Sequence, residues 1–392
     1  MASNDVTILG VGDLVLHRPD IKQKAEELQP VFRQADIRYG QLEMVVSNRG
    51  EVHNGLALMW RFPPEDIMGF KYLGIDCASA QGNHAMEWGP TALLDTLEAA
   101  EKVGVRAFGA GKNLDEARKP VILERKGTRV AFLGYGSAIA FGDEADTILP
   151  GVNPMRITTL YEMIEHNQPG TRPRVHTIPN PEDMANMVED IKKAKQVADV
   201  VAIAWHAGVH YTTRGEMAQY QYTVGHAAID AGADVIFATH AHMLKAIEVY
   251  KGKVIFHGLG NFIAGPTNPP KGVNIFGSAI GRNLREATAS LQGKPDPRWP
   301  EYKRDAAYLP TGIAKVVVSN KKVQRVSFIP MFENPMDQAW PVKVDPGSDK
   351  LIARVKSGDL FNEVVDFQMA ATSEAGLKTQ FKLEGDELVI VT

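Results

Sequence analysis

The residues best able to do chemistry in this sequence are imidazoles that follow apolar runs. Within residues 233–262, the run Val235-Ile236-Phe237 reads as a buried strand and empties into Thr239-His240-Ala241-His242. Residues i and i+2 of an extended segment share a side, so His240 and His242 converge on one point. Two neutral imidazoles presented together suit a borderline cation such as zinc or manganese, with iron as a further option. The plainer alternative is a pair of loop histidines closing off a strand. Similar groups recur where other strands should end: Asp13 after Gly12, Glu43 after Gln41-Leu42, Asn83-His84 after Gly82, and His206 after Trp205. Six of the eleven histidines (His84, His206, His210, His240, His242 and His257) sit just past an apolar run. Each has its own bland explanation, but their joint recurrence points to one shared metal site.

The elements that must carry these groups follow from local pattern. Strands are expected over residues 6–11, 37–46, 75–80, 200–204 and 235–237, with helices over 21–34, 90–103, 182–197 and 215–231. Taken alone, Glu43 within the second strand is a solvated edge residue. Hairpins are expected over 120–135, turning at Lys126-Gly127, over 247–256 around Lys251-Gly252-Lys253, and over 311–330 around Ser319-Asn320. Residues 142–181 lack a steady period and read as an insertion or lid with one helix near 158–166. Pro- and Gly-rich text over 263–310 reads as long loops around a site. A helix over 348–367 and a strand over 387–392 complete the chain. In open α/β sheets ligands bind outside the carboxyl ends of the strands, which is where these side chains would gather.

Composition narrows the field. The chain has 392 residues, 44% hydrophobic and 23% charged, as an ordinary globular protein does. A formal net charge of -4 argues against a nucleic-acid binder held by bulk electrostatics. The single cysteine, Cys77, excludes an intramolecular disulfide, suits a reducing compartment and reads as a small core side chain. Residues 1–13 enter a strand without a basic region and apolar leader, and no segment approaches the roughly 18 apolar residues that span a bilayer. The expectation is a cytoplasmic protein with no membrane span, and loops near Trp299 and Tyr302 suggest a contact surface for a homo-oligomer.

The ordered set Gly12-Asp13, Gln41-Leu42-Glu43, Gly82-Asn83-His84-Ala85, His206-Ala207-Gly208, His240-Ala241-His242 and Gly258-Leu259-Gly260-Asn261-Phe262 resembles the motifs of CapA-type capsule and poly-γ-glutamate biosynthesis proteins. Those belong to the calcineurin-like metallophosphoesterase superfamily. The resemblance covers about residues 6–330 and implies a four-layer α/β/β/α sandwich over 1–332, with 333–392 as a C-terminal extension packed on it. It further implies one or two divalent ions. Asp13 and His242 would bind one, Glu43 would bridge, Asn83, His206 and His240 would hold the second, and His84 would be the acid facing the substrate. Several positions depart from the family pattern. Val15 stands where a histidine ligand is usual, Glu87 where an aspartate is frequent, His210 in place of an acidic residue, and Gly258 in place of a serine. His17, His210, Glu87, His257 and Asn261 are candidates for further ligands or substrate contacts. His17 is equally a strand-end surface group, and His257 suits a role orienting its neighbours.

A divalent cation held by oxygen and imidazole lowers the pKa of its water and polarises a carbonyl or phosphoryl oxygen. With the first site short of a ligand, the balance tips towards an amide bond, glutamyl-type or cyclic, of a small molecule or peptide-like polymer. Phosphoester hydrolysis by two metals is the runner-up, and a non-catalytic part in capsule or poly-γ-glutamate assembly is the alternative of another class. Arg49, Arg214 and Lys245, with Arg18, are weak candidates for contacting anionic substrate groups.

Overall fold

The computed structural model describes residues 4–53, 61–167, 170–210, 212–264, 310–332 and 359–392. Two sheets face each other across an apolar core. The larger runs in the order Gln380–Glu384, Glu387–Val391, Lys322–Phe332, Pro310–Ser319, Val6–Val15, Ile37–Leu42, Cys77–Ser79 and Arg106–Phe108, with Asn261–Ala264 pairing beside the end of Val6–Val15. The smaller runs Ile247–Tyr250, Lys253–Phe256, Val235–His240, Val200–Ala207, Thr128–Gly136 and Val121–Arg125.

Alternation along Val6–Val15 explains the layering. Val6 and Ile8 face the opposing sheet, whereas Leu9 and Val11 face the outer helices. Between the sheets, the ring of Tyr39 lies 5.5 Å from Phe237 and 5.9 Å from Phe132. Helices Ile21–Phe32, Met68–Leu73 and Gly89–Lys102 cover the outer face of the larger sheet, and Pro181–Val197 and Gln219–Ala231 that of the smaller. The result is an α/β/β/α sandwich. The helix Asp359–Glu374 sends Phe361, Val364 and Val365 into the inter-sheet core. At the chain's end, Glu387–Val391 pairs antiparallel with Lys322–Phe332, so the last strands prolong the larger sheet.

The hairpins at 120–135, 247–256 and 311–330 form as expected, the last turning at Asn320-Lys321. Three expectations need correction. Residues 158–166 are not helical: Ile157–Glu162 pairs with Arg174–Pro179 in a separate two-stranded sheet, most of whose residues are exposed. The second strand stops at Leu42, which leaves Glu43 in a loop rather than on a strand edge. A strand at Gln380–Glu384, unforeseen from the sequence, precedes the expected last one. Residues 265–309, with most of the expected long loops and both Trp299 and Tyr302, lie outside the described residues, as does the first part of the expected helix at 348–367.

Candidate metal centre

Parallel pairing brings the chemical groups to one edge. Val6–Val15 runs parallel to Ile37–Leu42, and Val200–Ala207 parallel to Val235–His240, so their carboxyl ends share a side of each sheet. Two glycines make the approach tight enough. A Cβ on Gly12 would lie 1.9 Å from the Gly260 carbonyl oxygen, and one on Gly82 would lie 2.5 Å from Glu43 Oε2. Asp13 is thereby seated against the Gly260-Asn261 segment, and the Asn83 turn against Glu43. His240 and His242 both have positive φ, 95° and 53°, a backbone region that L-residues seldom adopt. With that bend His240 Nδ1 lies beside His206 and Asn83, and His242 Nδ1 beside Asp13 and Asn261.

Asp13, Glu43 and His206 offer ligand atoms all within 4.8 Å of one another, and all three residues are buried. His206 Nε2 lies 2.7 Å from Asn83 Oδ1, 3.1 Å from His240 Nδ1 and 3.5 Å from Glu43 Oε1. A ring nitrogen carries at most one proton, so it can satisfy only one of these three lone-pair atoms. His242 Nδ1 repeats the situation, 2.7 Å from Asn261 Oδ1 and 3.1 Å from Asp13 Oδ2. Asp13 Oδ1 and Glu43 Oε1 are buried without a hydrogen-bond partner. Lone pairs converging with too few protons are what a divalent cation satisfies, and the mixed oxygen and imidazole donors suit a first-row metal. The residues fit the group.

The electrostatics agree. Burial pushes the His206 pKa down to about 3 and that of His240 well below its usual value, which keeps both rings neutral and able to ligate. Burial, reinforced by Asp13, raises Glu43 to about 8, so this carboxylate needs a counter-charge to stay ionised at neutral pH. Asp13 goes the other way: burial acts to raise it, but the hydrogen bond and charge of His242 hold it below the carboxylate norm. His242 and His84 differ from the neutral His206 and His240: burial acts to lower the His242 pKa, but the hydrogen bond and charge of Asp13 raise it. His84 Nδ1 is 2.6 Å from Glu87 Oε1 and its Nε2 is 3.8 Å from Glu43 Oε1. Burial lowers its pKa, yet the Glu87 charge and hydrogen bond outweigh that and lift it to about 9.

Of the further candidates, His210 stacks on His240 at 3.8 Å and on His242 at 4.8 Å between ring centroids, forming a lid over both rings. Asn261 and Glu87 touch His242 and His84 as described. The remaining candidates turn elsewhere. His17 pairs with Asp66 and stacks on Phe62. His257 Nε2 is 2.8 Å from Glu248 Oε2, and His226 holds the other carboxylate oxygen at 2.6 Å. Arg18 pairs with Asp20, Arg49 with Asp95, and Arg214 with Glu374. Lys245 is buried and donates to Thr212 Oγ1, the Thr213 carbonyl and the Glu216 carbonyl at 2.9, 2.8 and 3.3 Å. Two supports escaped the sequence reading. Thr239 Oγ1 lies 3.0 Å from His206 Nδ1, and a buried chain runs from Tyr39 through Ser79 and Gln41 to Glu43 Oε2. Gln41, a polar residue inside an apolar strand two positions before Glu43, was the available signal.

Fold and cluster together define an α/β sandwich protein with a buried carboxylate, amide and imidazole centre able to take a metal. Residues 7–266 match the family described as bacterial capsule synthesis protein PGA_cap, and the chain belongs to that family. Curated relatives include the PGA biosynthesis protein CapA of Bacillus subtilis (strain 168), 29% identical over 64% of this chain and 62% of that one. Another is the capsule biosynthesis protein CapA of Bacillus anthracis, 29% identical over 51% of this chain and 42% of that one. The chain thus spans less than two thirds of the length of either. Solved structures similar to it include a hypothetical protein of Thermus thermophilus, with TM-score 0.45, 17% identity and 84% and 100% of the two chains covered. A 5'-nucleotidase precursor of the same organism gives TM-score 0.38 and 12% identity, with 85% and 55% covered. Among the described residues no helix is long and apolar enough to cross a membrane.

Proposed function

We propose that this chain is a metal-dependent hydrolase of amide bonds, of the glutamyl type suggested by relatives named for PGA and capsule biosynthesis. The observation that carries the reading is the placement of His84, held by Glu87 at 2.6 Å, beside the buried carboxylate and imidazole cluster. Asp13, Glu43, Asn83, His206, His240 and His242 would hold the ion or ions. A divalent cation, when bound, supplies Lewis acidity towards a carbonyl oxygen and a nucleophile at neutral pH. Glu87 accepts from His84 Nδ1 and leaves Nε2 directed at the centre, where it would deliver a proton to a departing amine. Buried walls, with the His210 ring stacked over the cluster, would limit water around the reacting atoms.

An amide is favoured over a phosphoester because the cations that would meet a dianion are engaged elsewhere: Arg49 with Asp95, Arg214 with Glu374 and Lys245 with loop oxygens. Val15, at the position two residues after Asp13, is buried and apolar. The test combines elemental analysis by mass spectrometry with turnover on γ-glutamyl amide and phosphoester panels. Stoichiometric metal and amide turnover that His84→Ala abolishes, with metal retained, is the expected result. Metal without turnover on either panel would favour a non-catalytic part in polymer assembly, and unchanged activity in His84→Ala would remove the acid.

A further inference from the structure

The two-stranded sheet set apart from the sandwich has one closed edge and one open edge. Its inner strand, Arg174–Pro179, lies against the start of the helix Gln219–Ala231: the Thr177 N–H donates to Gln219 Oε1 at 3.3 Å and the Tyr220 N–H to Thr177 Oγ1 at 3.0 Å. Because the Thr177 amide points outwards, Thr159 and Thr177 form a non-hydrogen-bonded pair. Along the outer strand, Ile157–Glu162, the N–H and C=O groups of Ile157, Thr159 and Tyr161 therefore point away from the hairpin. Among the described residues no strand pairs with that edge. Ile157, Thr158, Thr159 and Tyr161 are strong strand formers, and the strand lacks the Lys, Pro or bulge that ordinarily blunts an open edge. Edges elsewhere are guarded: both backbone groups of Ile247 are covered by Thr372 and Thr379, and Gln380–Glu384 carries Lys382 and Glu384. The arm is fixed at its root, where the Asn180 N–H donates to the Arg156 carbonyl at 2.8 Å and the Arg156 guanidinium holds Asp183 at 2.6 and 2.8 Å. Leu160, Tyr161, Met163, Ile164, Val175 and Ile178 are exposed along it. A hairpin with both faces wet is marginal in water and gains stability from further strands.

The open strand is complementary to itself. Two copies laid antiparallel about a twofold axis through Thr159 set Thr159 opposite Thr159 and Ile157 opposite Tyr161. All three outward-facing residues then enter pairs that exchange both backbone hydrogen bonds. Moving the axis by one residue in either direction leaves Ile157 or Tyr161 without a partner inside the strand. The same register brings Glu162 opposite Arg156 of the second copy, an acid facing a base, and sets the Tyr161 ring beside the second copy's Ile157. Symmetry of backbone, charge and apolar side chains at one register is what a second copy of this chain satisfies. We infer that the edge Ile157–Glu162 is a homodimer interface, in which the arms of two copies join into a four-stranded antiparallel sheet.

The inference does not depend on the chemistry of the metal centre. Thr159→Pro separates the interface from the hairpin: the Thr159 N–H points outwards, so its loss costs the arm no internal hydrogen bond but removes the donor on the twofold axis. Sedimentation velocity of the wild type at micromolar concentrations should show a species of twice 42.9 kDa. Thr159→Pro should raise the dissociation constant of that species at least tenfold, whereas Met369→Lys, at an exposed helix position away from the arm, should leave it unchanged. Circular dichroism and thermal unfolding check that each variant folds. Thr159→Cys gives a readout that no proline perturbs. The natural Cys77 is buried, so a short bis-maleimide should link two chains through position 159 and should not link the control Val197→Cys, another exposed position. A wild type that stays monomeric, a dimer of unchanged affinity in Thr159→Pro, or linking at 159 no more efficient than at 197 would each overturn the inference.

Discussion

Replacing Lys245 with Met gives a measurable signature of how the centre's surroundings are built. The ammonium group is enclosed, and burial lowers its pKa from 10.5 to about 8. A lysine with a folded pKa below its unfolded one releases its proton on folding, so the unfolded chain binds more protons between the two values. Stability contributed by this group is therefore lowest below pH 8 and rises towards pH 10.5. The full difference is about 3 kcal/mol from the size of the shift, and about 2 kcal/mol of it appears between about pH 7 and pH 9.5. Lys245→Met removes the titration while keeping much of the volume. It also frees Thr212, Thr213 and Glu216 from the three hydrogen bonds that pin the loop bearing His210, at about 1 kcal/mol each. Urea unfolding of both proteins at half-unit pH steps isolates the effect, because every other titrating group cancels in the difference. Wild type should gain about 2 kcal/mol on the variant over that range. A difference that stays flat would show that Lys245 is not charged and buried in the folded protein, and the account of the loop would fail.

Other perturbations address the centre directly. Chelation of a protein holding its metal at about a hundredfold excess over Kd should remove about 2.7 kcal/mol of stability, read as a fall in Tm that readded metal reverses. Glu87→Gln withdraws the charge that lifts His84 to about 9, so the alkaline limb of the pH–rate profile should move to lower pH, with kcat down about a hundredfold. An unmoved limb would assign that titration to another group. Gly12→Ala should lower stability by at least about 3 kcal/mol and lose metal, since its Cβ would collide with the Gly260 carbonyl at 1.9 Å. Soluble, metal-replete Gly12→Ala protein would contradict the packing described.

Much of the centre was legible because strand periodicity and polar strand exits are local properties. Asp13, Asn83, His206, His240 and His242 each announced themselves as a polar residue ending an apolar run, and parallel pairing brought them together. What stayed hidden depends on partners remote in sequence. Arg214 is tied to Glu374 and His17 to Asp66, pairings that no local pattern encodes. Lys245 looked like a surface cation because its acceptors are loop oxygens rather than carboxylates. The hairpin at 157–179 was read as containing a helix because it buries little, and an element without a buried face shows no dependable alternation. Glu43, ambiguous by itself, took its expected bridging role from the Gln41-Leu42-Glu43 motif, and the chain of Tyr39, Ser79 and Gln41 behind it stayed hidden.

The pairing of Val6–Val15 with Pro310–Ser319 joins positions roughly three hundred residues apart, from Val6 to Val318. During synthesis this strand emerges about three hundred residues ahead of the partner for one of its flanks. Until then an apolar ribbon with unpaired amides is open to other nascent chains. Slow ribosomal output and chaperone cover should therefore govern the yield of this protein more than they do for helical proteins of the same size.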